Sequence, residues 1–293
     1  MPGALPAATP GDENYAAAMT DTADDRARLS GYVEVWWQAV ADFTAMLEEL
    51  PIEAWSTSTD LPGWDVHAVA AHTAHLEAVL AGAPEDPLTA VEGGHVRGMM
   101  GVYTESGVLA RRDRTPDELL HEISASATAR HTALLADPPT DGAAAPARQF
   151  TGVTWSWETL LRNRPLDVWM HEQDVRRAVG RPGGLDTRAA EHVETYLAES
   201  LGVVLAKRVG AAPGTTAVLA VDGSEPRAYG VTDDRRGRRL SEVPQVPDVR
   251  VAMDRETFVL LAGGRRSPAP GAVRVDGDQA LGERLLAHLV VTK

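Results

Sequence analysis

Cysteine is absent from this chain of 293 residues. Disulfides, thiolate–zinc sites and a cysteine nucleophile are therefore excluded, and any thiol chemistry must come from a bound small molecule. Lysine is nearly absent as well: Lys207 and Lys293 are the only two, and the other basic residues are arginines. Acidic side chains outnumber basic ones, 42 to 28, for a net charge of −14. That balance excludes the broad basic surface needed to bind nucleic acid or an anionic membrane, although a local basic pocket could still hold an anion. No apolar run approaches the roughly 18 residues of a membrane-spanning helix. The opening segment, MPGALPAATPGDENYAAAMT, lacks both the basic start and the apolar stretch of a secretory signal. Residues 1–23 are expected to be a disordered tail, and the expected setting is the cytoplasm.

What is present suffices for two cores, since a chain of this length exceeds what one typical core supports. Leu29, Val33, Trp36, Val40, Phe43, Leu47 and Leu50 recur at spacings of three and four, which predicts a helix from about Asp24 to Leu50. Asp65 is placed to cap a second helix over Val66–Leu80. Residues 81–94 read as a loop and 96–110 as a short, ambiguous helix. Thr115-Pro-Asp-Glu118 is a capping box that opens a third long helix. A fourth starts near Ser156, with Pro165 expected to kink or restart it, and runs to Val179 before GRPGG ends it. Four amphipathic helices joined by loops predict a four-helix bundle over residues 24–184.

From about 185 the texture changes. A helix over about 187–209 leads into strand-like runs at 215–223, 226–234, 249–253 and 272–275, with Asp254 and Asp278 placed to cap two short helices. Residues 185–293 are expected to be a small α+β domain, so the fold class is α plus α/β in two domains. The run DDRRGRR (233–239) reads as a solvated turn.

The chemistry concentrates on the second and fourth helices. Asp167 and His171 stand at i, i+4 and so point the same way, as two ligands of one ion would. The polar row Leu160, Arg164, Asp167, His171, Asp174, Ala178 runs beside an apolar row of Leu161, Val168, Val175 and Val179. A buried carboxylate is costly without a partner, so Asp167 needs a cation, an arginine or a metal. On spacing alone, a salt-bridged aspartate beside a packed histidine is the commoner outcome. His72 lies on the inward side of the second helix; His67 falls on the other side, and His75 projects a turn further along. If the two helices are neighbours, His72, Asp167 and His171 supply two nitrogens and one oxygen with an open position. The tryptophans, among them Trp36–Trp37 and Trp155/Trp157, are assigned to core packing.

LPGWDVHAVAAHTAHLE (61–77) and RPLDVWMHEQDVRRAVGRPGG (164–184) resemble the mycothiol-dependent maleylpyruvate isomerase family, a branch of the DinB-like metalloenzymes. DRETFVLLAGGRR, VRVDGD and LLAHLVVT extend the resemblance into that family's sterol-carrier-like C-terminal domain. The resemblance covers roughly residues 25–293. It implies a DinB-like four-helix bundle holding a divalent metal, usually zinc, through His72, Asp167 and His171. It also implies mycothiol as cofactor, an electrophilic small molecule as substrate, and a catalytic role for Arg265, which could hold a substrate carboxylate. The family's characterised isomerase carries glutamate where this chain has Asp167, one methylene shorter. A thiol held by zinc loses its proton near neutral pH and becomes a nucleophile for an electrophile. Isomerisation by addition, rotation and elimination, or S-transfer of the whole thiol to the electrophile, would follow. A binding protein without thiol chemistry and a metal-dependent hydrolase are the alternatives that the same ligands permit.

Overall fold

The computed structural model describes residues 10–89 and 96–291, with side chains from residue 24 onward. The chain divides into two compact units, residues 1–57 with 63–168, and residues 58–62 with 169–293. The division falls between residues 168 and 169, inside one continuous helix.

The first unit holds α1 (Pro10–Glu48), a single 3₁₀ turn (Ile52–Ser56), α2 (Val66–Ala81), α3 (Gly98–Leu109), α4 (Pro116–Ala136) and the start of α5 (Trp157–Ala178). α1 begins at Pro10, within the stretch expected to be a disordered tail; residues 1–9 lie outside the described residues. The expected stripe on α1, from Leu29 to Leu50, is buried. α2 is capped as its sequence predicts, with the Asp65 carboxylate accepting from the Ala68 N–H. It is buried on every side, not along one row, because Ala68, Ala70, Ala71, Ala74 and Ala78 let neighbours approach closely. α4 packs on it and on α1, and α3 packs on it too. Gly82, at φ +114, ends α2 in a conformation costly for a side chain.

The capping box of α4 forms in full, with Thr115 and Glu118 each bonding the other's backbone N–H. The ambiguous segment is helical as α3, and residues 83–89 form no regular element, while 90–95 lie outside the described residues. Leu76, Val79, Leu80, Tyr103, Phe150 and Leu160 form a core cluster, with Trp155 and Trp157 packed against it. Trp36 is fully buried. α5 passes through Pro165 without restarting, although proline has no N–H to give the preceding turn.

The second unit takes the end of α5, then α6 (Arg188–Glu199), α7 (Leu201–Val203) running into a π turn (Val204–Arg208), and a five-stranded sheet. Its strands are β1 (Thr216–Val221), β2 (Arg227–Val231), β3 (Gly237–Arg239), β4 (Val249–Met253) and β5 (Val273–Gly277). They lie in the order β3-β2-β1-β4-β5, antiparallel except for the parallel pair β1 and β4. α8 (Arg255–Ala262) and α9 (Gln279–Ala287) are capped by Asp254 and Asp278 as expected. β3 corrects the reading of 233–239 as turn throughout. Only its first part turns, with Arg235 at φ +58; Gly237–Arg239 then pairs with β2. A Cβ on Gly237 would stand 1.7 Å from the Gly202 carbonyl oxygen, so glycine is what admits this strand against α7. No helix among the described residues is long and apolar enough to cross a membrane.

Candidate metal centre

His72 sits in the middle of α2, almost fully buried. Its ring lies 5.0 Å from that of Trp64, whose indole N–H donates to Glu105 Oε2 on α3 at 2.9 Å. Asp167 and His171 stand one turn apart on α5, and the helix itself fixes their spacing. His72 Nε2 is 3.6 Å from Asp167 Oδ1. One ligand atom from each of His72, Asp167 and His171 lies within 4.8 Å of the other two, and among the described residues no other histidine–carboxylate group meets this condition. The three residues singled out from sequence are thus brought together.

The donor set fits a divalent cation of zinc's type. Bonds of about 2.05 Å in a tetrahedron hold ligand atoms roughly 3.3 Å apart, so the His72–Asp167 pair already stands near bonding separation. Three protein ligands leave a position for a further one, as catalytic sites require. Two imidazole nitrogens and a carboxylate oxygen also match the ligand types such ions select.

Behind Asp167 stands Arg164, whose Nη1 donates to Asp167 Oδ2 at 3.0 Å. Its Nε and Nη2 donate to Glu77 Oε1 at 3.2 and 2.7 Å. Glu77 is fully buried on α2. It also accepts from the Trp36 indole N–H at 3.0 Å and from Arg130 Nη1 at 3.4 Å. Arg130 lies over the Trp36 ring at 4.5 Å. Burial works against Arg130's charge and draws it down to about 10, with Glu77 opposing. Burial acts on Arg164 too, but there Glu77 and Asp167 outweigh it and push the guanidinium up.

Behind His171 stands Asp174, also fully buried, with Oδ2 3.4 Å from His171 Nδ1. Arg265 grips Asp174 in a fork, Nε to Oδ1 at 2.9 Å and Nη2 to Oδ2 at 2.9 Å, while its Nη1 donates to the Gly263 carbonyl. Arg177 Nη2 donates to Asp174 Oδ1 at 2.5 Å, and its Nε to Asp60 at 3.0 Å. Asp60 in turn accepts from Arg266, which is half exposed. Burial alone would raise the Asp174 carboxyl; the bonds from His171 and Arg265 outweigh it and hold it low. A neutral His171 with its Nδ1 proton on the side of this carboxylate, 3.4 Å away, would keep Nε2 for a cation.

Arg265, expected to be catalytic, is therefore placed one side chain behind His171, held by Asp174. The other two histidines of α2 are engaged elsewhere: His67 Nε2 lies 2.8 Å from the Arg114 carbonyl oxygen, and His75 Nδ1 lies 2.9 Å from Asp86. Sequence reasoning missed Glu77, Arg130 and Arg177. The lone carboxylate of α2 was the available signal for Glu77, and Arg164, at i−3 from Asp167, was visible in the polar row.

A helical region followed by an α+β domain, with a histidine–carboxylate cluster on the helical part, defines a two-domain protein of the α plus α/β class with a donor set of metal-site type. Residues 36–176 match the mycothiol maleylpyruvate isomerase N-terminal domain, and residues 191–284 match the C-terminal domain of the same family. The chain belongs to the mycothiol-dependent maleylpyruvate isomerase family. Its fold resembles the crystal structure of the mycothiol-dependent maleylpyruvate isomerase, at 18% identity and a TM-score of 0.54. A histidine-to-alanine mutant of that enzyme gives 17% and 0.55, and in both cases the match covers 85% of this chain and 92% of the other. No curated protein matches the chain in sequence.

Proposed function

We propose that the protein is a cytoplasmic, mycothiol-using, divalent-metal-dependent enzyme that activates the thiol for addition to an electrophilic small molecule. The reaction is a cis–trans isomerisation of the maleylpyruvate-isomerase kind or an S-transfer that joins the intact thiol to the electrophile through its sulfur. The observation that carries this reading is the convergence of His72, Asp167 and His171 within 4.8 Å in a chain that matches both domains of the family. In this reading α1, α2, α4 and α5 form a DinB-like four-helix bundle over residues 24–184, and residues 185–293 form a sterol-carrier-like domain. A bound cation, zinc by its donor set, supplies the lowering of the thiol's pKa.

The chain's own residues do the rest. His72, Asp167 and His171 hold the cation. Asp174 orients the His171 ring, and Arg265 serves catalysis by locking Asp174 in place. The absence of cysteine leaves no protein thiol to compete with mycothiol for the electrophile.

Metal analysis and thiol titration test the proposal. The purified protein should carry about one zinc per chain and should bind mycothiol only with metal present. His171→Ala should abolish the bound metal. Undiminished zinc in that variant would contradict the ligand set, and ester or amide turnover without thiol would move the assignment to a hydrolase.

A further inference from the structure

Neither Glu77 nor Arg164 is a candidate ligand, yet together they determine how Asp167 can be used. We propose that they are positioning residues which make Asp167 a one-oxygen ligand of the bound cation. The inference rests on the metal-centre reading above and concerns only how that centre is built.

Arg164 is 1% exposed and its guanidinium serves two carboxylates at once. Nε and Nη2 are fixed on Glu77 Oε1, which leaves Nη1 aimed at Asp167 Oδ2, 3.0 Å away. Only a planar fork with several donors can do both; an ammonium is a single point of charge. Glu77 is held from two further sides by Trp36 and Arg130, so Arg164 has no room to swing. The Asp167 side chain is short, and fixing Oδ2 fixes the direction of Oδ1, the oxygen nearest His72 Nε2.

Charge supports the same division of labour. Glu77 and Asp167 bring two negative charges, Arg130 and Arg164 two positive ones, and the cluster is neutral. A lone arginine against a metal ligand would repel the incoming cation. Here Glu77 offsets that charge, so Arg164 can claim one oxygen without driving the ion away. The outcome is a centre of low coordination number, with room for an exogenous thiol.

Cobalt(II) substitution and zinc titration read this directly, because coordination number and geometry govern the cobalt spectrum. Arg164→Lys keeps a cation opposite the buried Glu77 and so preserves folding, but cannot bridge the two carboxylates. Glu77→Gln keeps the shape and removes the offsetting charge, and is scored separately. The wild-type cobalt protein should show the intense visible bands of a four-coordinate site. Arg164→Lys should lose them as the second oxygen of Asp167 joins the ion, Glu77→Gln should keep them because Arg164 still holds that oxygen, and both zinc dissociation constants should rise roughly 10–100-fold. Wild-type bands and an unchanged zinc constant in Arg164→Lys would overturn the inference alone, as would a wild-type spectrum that is already five-coordinate. A wild-type protein that takes up neither zinc nor cobalt would overturn the metal-centre reading and this inference with it.

Discussion

Glu77 and Asp174 solve the same problem in opposite order. Each is a fully buried carboxylate gripped by two arginines, Arg130 and Arg164 in one case, Arg177 and Arg265 in the other. Around Glu77 an arginine stands between the buried carboxylate and the candidate ligand, so Asp167 meets a positive charge. Around Asp174 the carboxylate itself meets the ligand and the arginines lie outside, so His171 meets a negative charge. The first arrangement draws electron density from a carboxylate ligand; the second makes an imidazole more basic. A metal ion held by both would sense the two supports with opposite sign. The wrapping arginines have a common cause, because a buried carboxylate is tolerated only when its charge and lone pairs are met.

The two supports differ most in what they contribute to stability. Glu77→Ala leaves Arg164 and Arg130 buried without their shared counter-charge, and removing one partner of such a group costs about 3–5 kcal/mol. Denaturant unfolding of the metal-free protein should show a loss of that size; a loss within the scatter of surface substitutions would mean that water reaches these arginines. Asp174→Asn comes next in size and differs in kind. Arg177 keeps Asp60 and Arg265 keeps the Gly263 carbonyl, so less is stranded. The main effect falls on the metal, with zinc held roughly 10–100-fold more weakly as His171 loses its orienting charge. Equal damage to stability from both substitutions would erase the distinction drawn between the two supports.

Much of this was legible in the chain. The i, i+4 spacing of Asp167 and His171, and the inward placement of His72, found the three clustered residues because helical periodicity is a local property. The caps at Asp65, Thr115, Asp254 and Asp278 were readable for the same reason. What stayed hidden depends on partners far away in sequence. Arg265 and Asp174 are 91 positions apart and Glu77 and Arg164 are 87, and no local pattern pairs them. The fork expected to hold a substrate carboxylate, that of Arg265, holds the Asp174 carboxylate in this structure. β3 was missed because Gly-Arg-Arg has no strand propensity of its own; it is a strand because β2 pairs with it and Gly237 tucks against Gly202. Pro165 is expected to kink or restart the helix, and α5 runs through it from Trp157 to Ala178 with Arg164 and Asp167 beside it anchored to other side chains.

Glu194 is a third fully buried carboxylate between two arginines, and none of its partners is a candidate ligand. Arg227 and Arg255 both bond it, and the Ser224 hydroxyl donates to it at 2.8 Å, which ties α6 to the β1–β2 turn and the start of α8. Burial would raise its carboxyl, but the bonds from Arg227, Arg255 and Ser224 prevail and hold it below the ordinary 4.5. A carboxyl lowered in the folded state stabilises above its unfolded value, and that contribution drains away as pH falls through the folded one. The acid limb of unfolding should therefore steepen below about pH 4.5, and Glu194→Gln should flatten it. Its arginines are partly open to water, so the cost at neutral pH should be the smallest of the three, about 1 kcal/mol, with zinc binding unchanged. A weaker zinc constant in this variant would mean that any buried carboxylate perturbs the centre, and that the placement of Glu77 and Asp174 beside the ligands carries no special meaning.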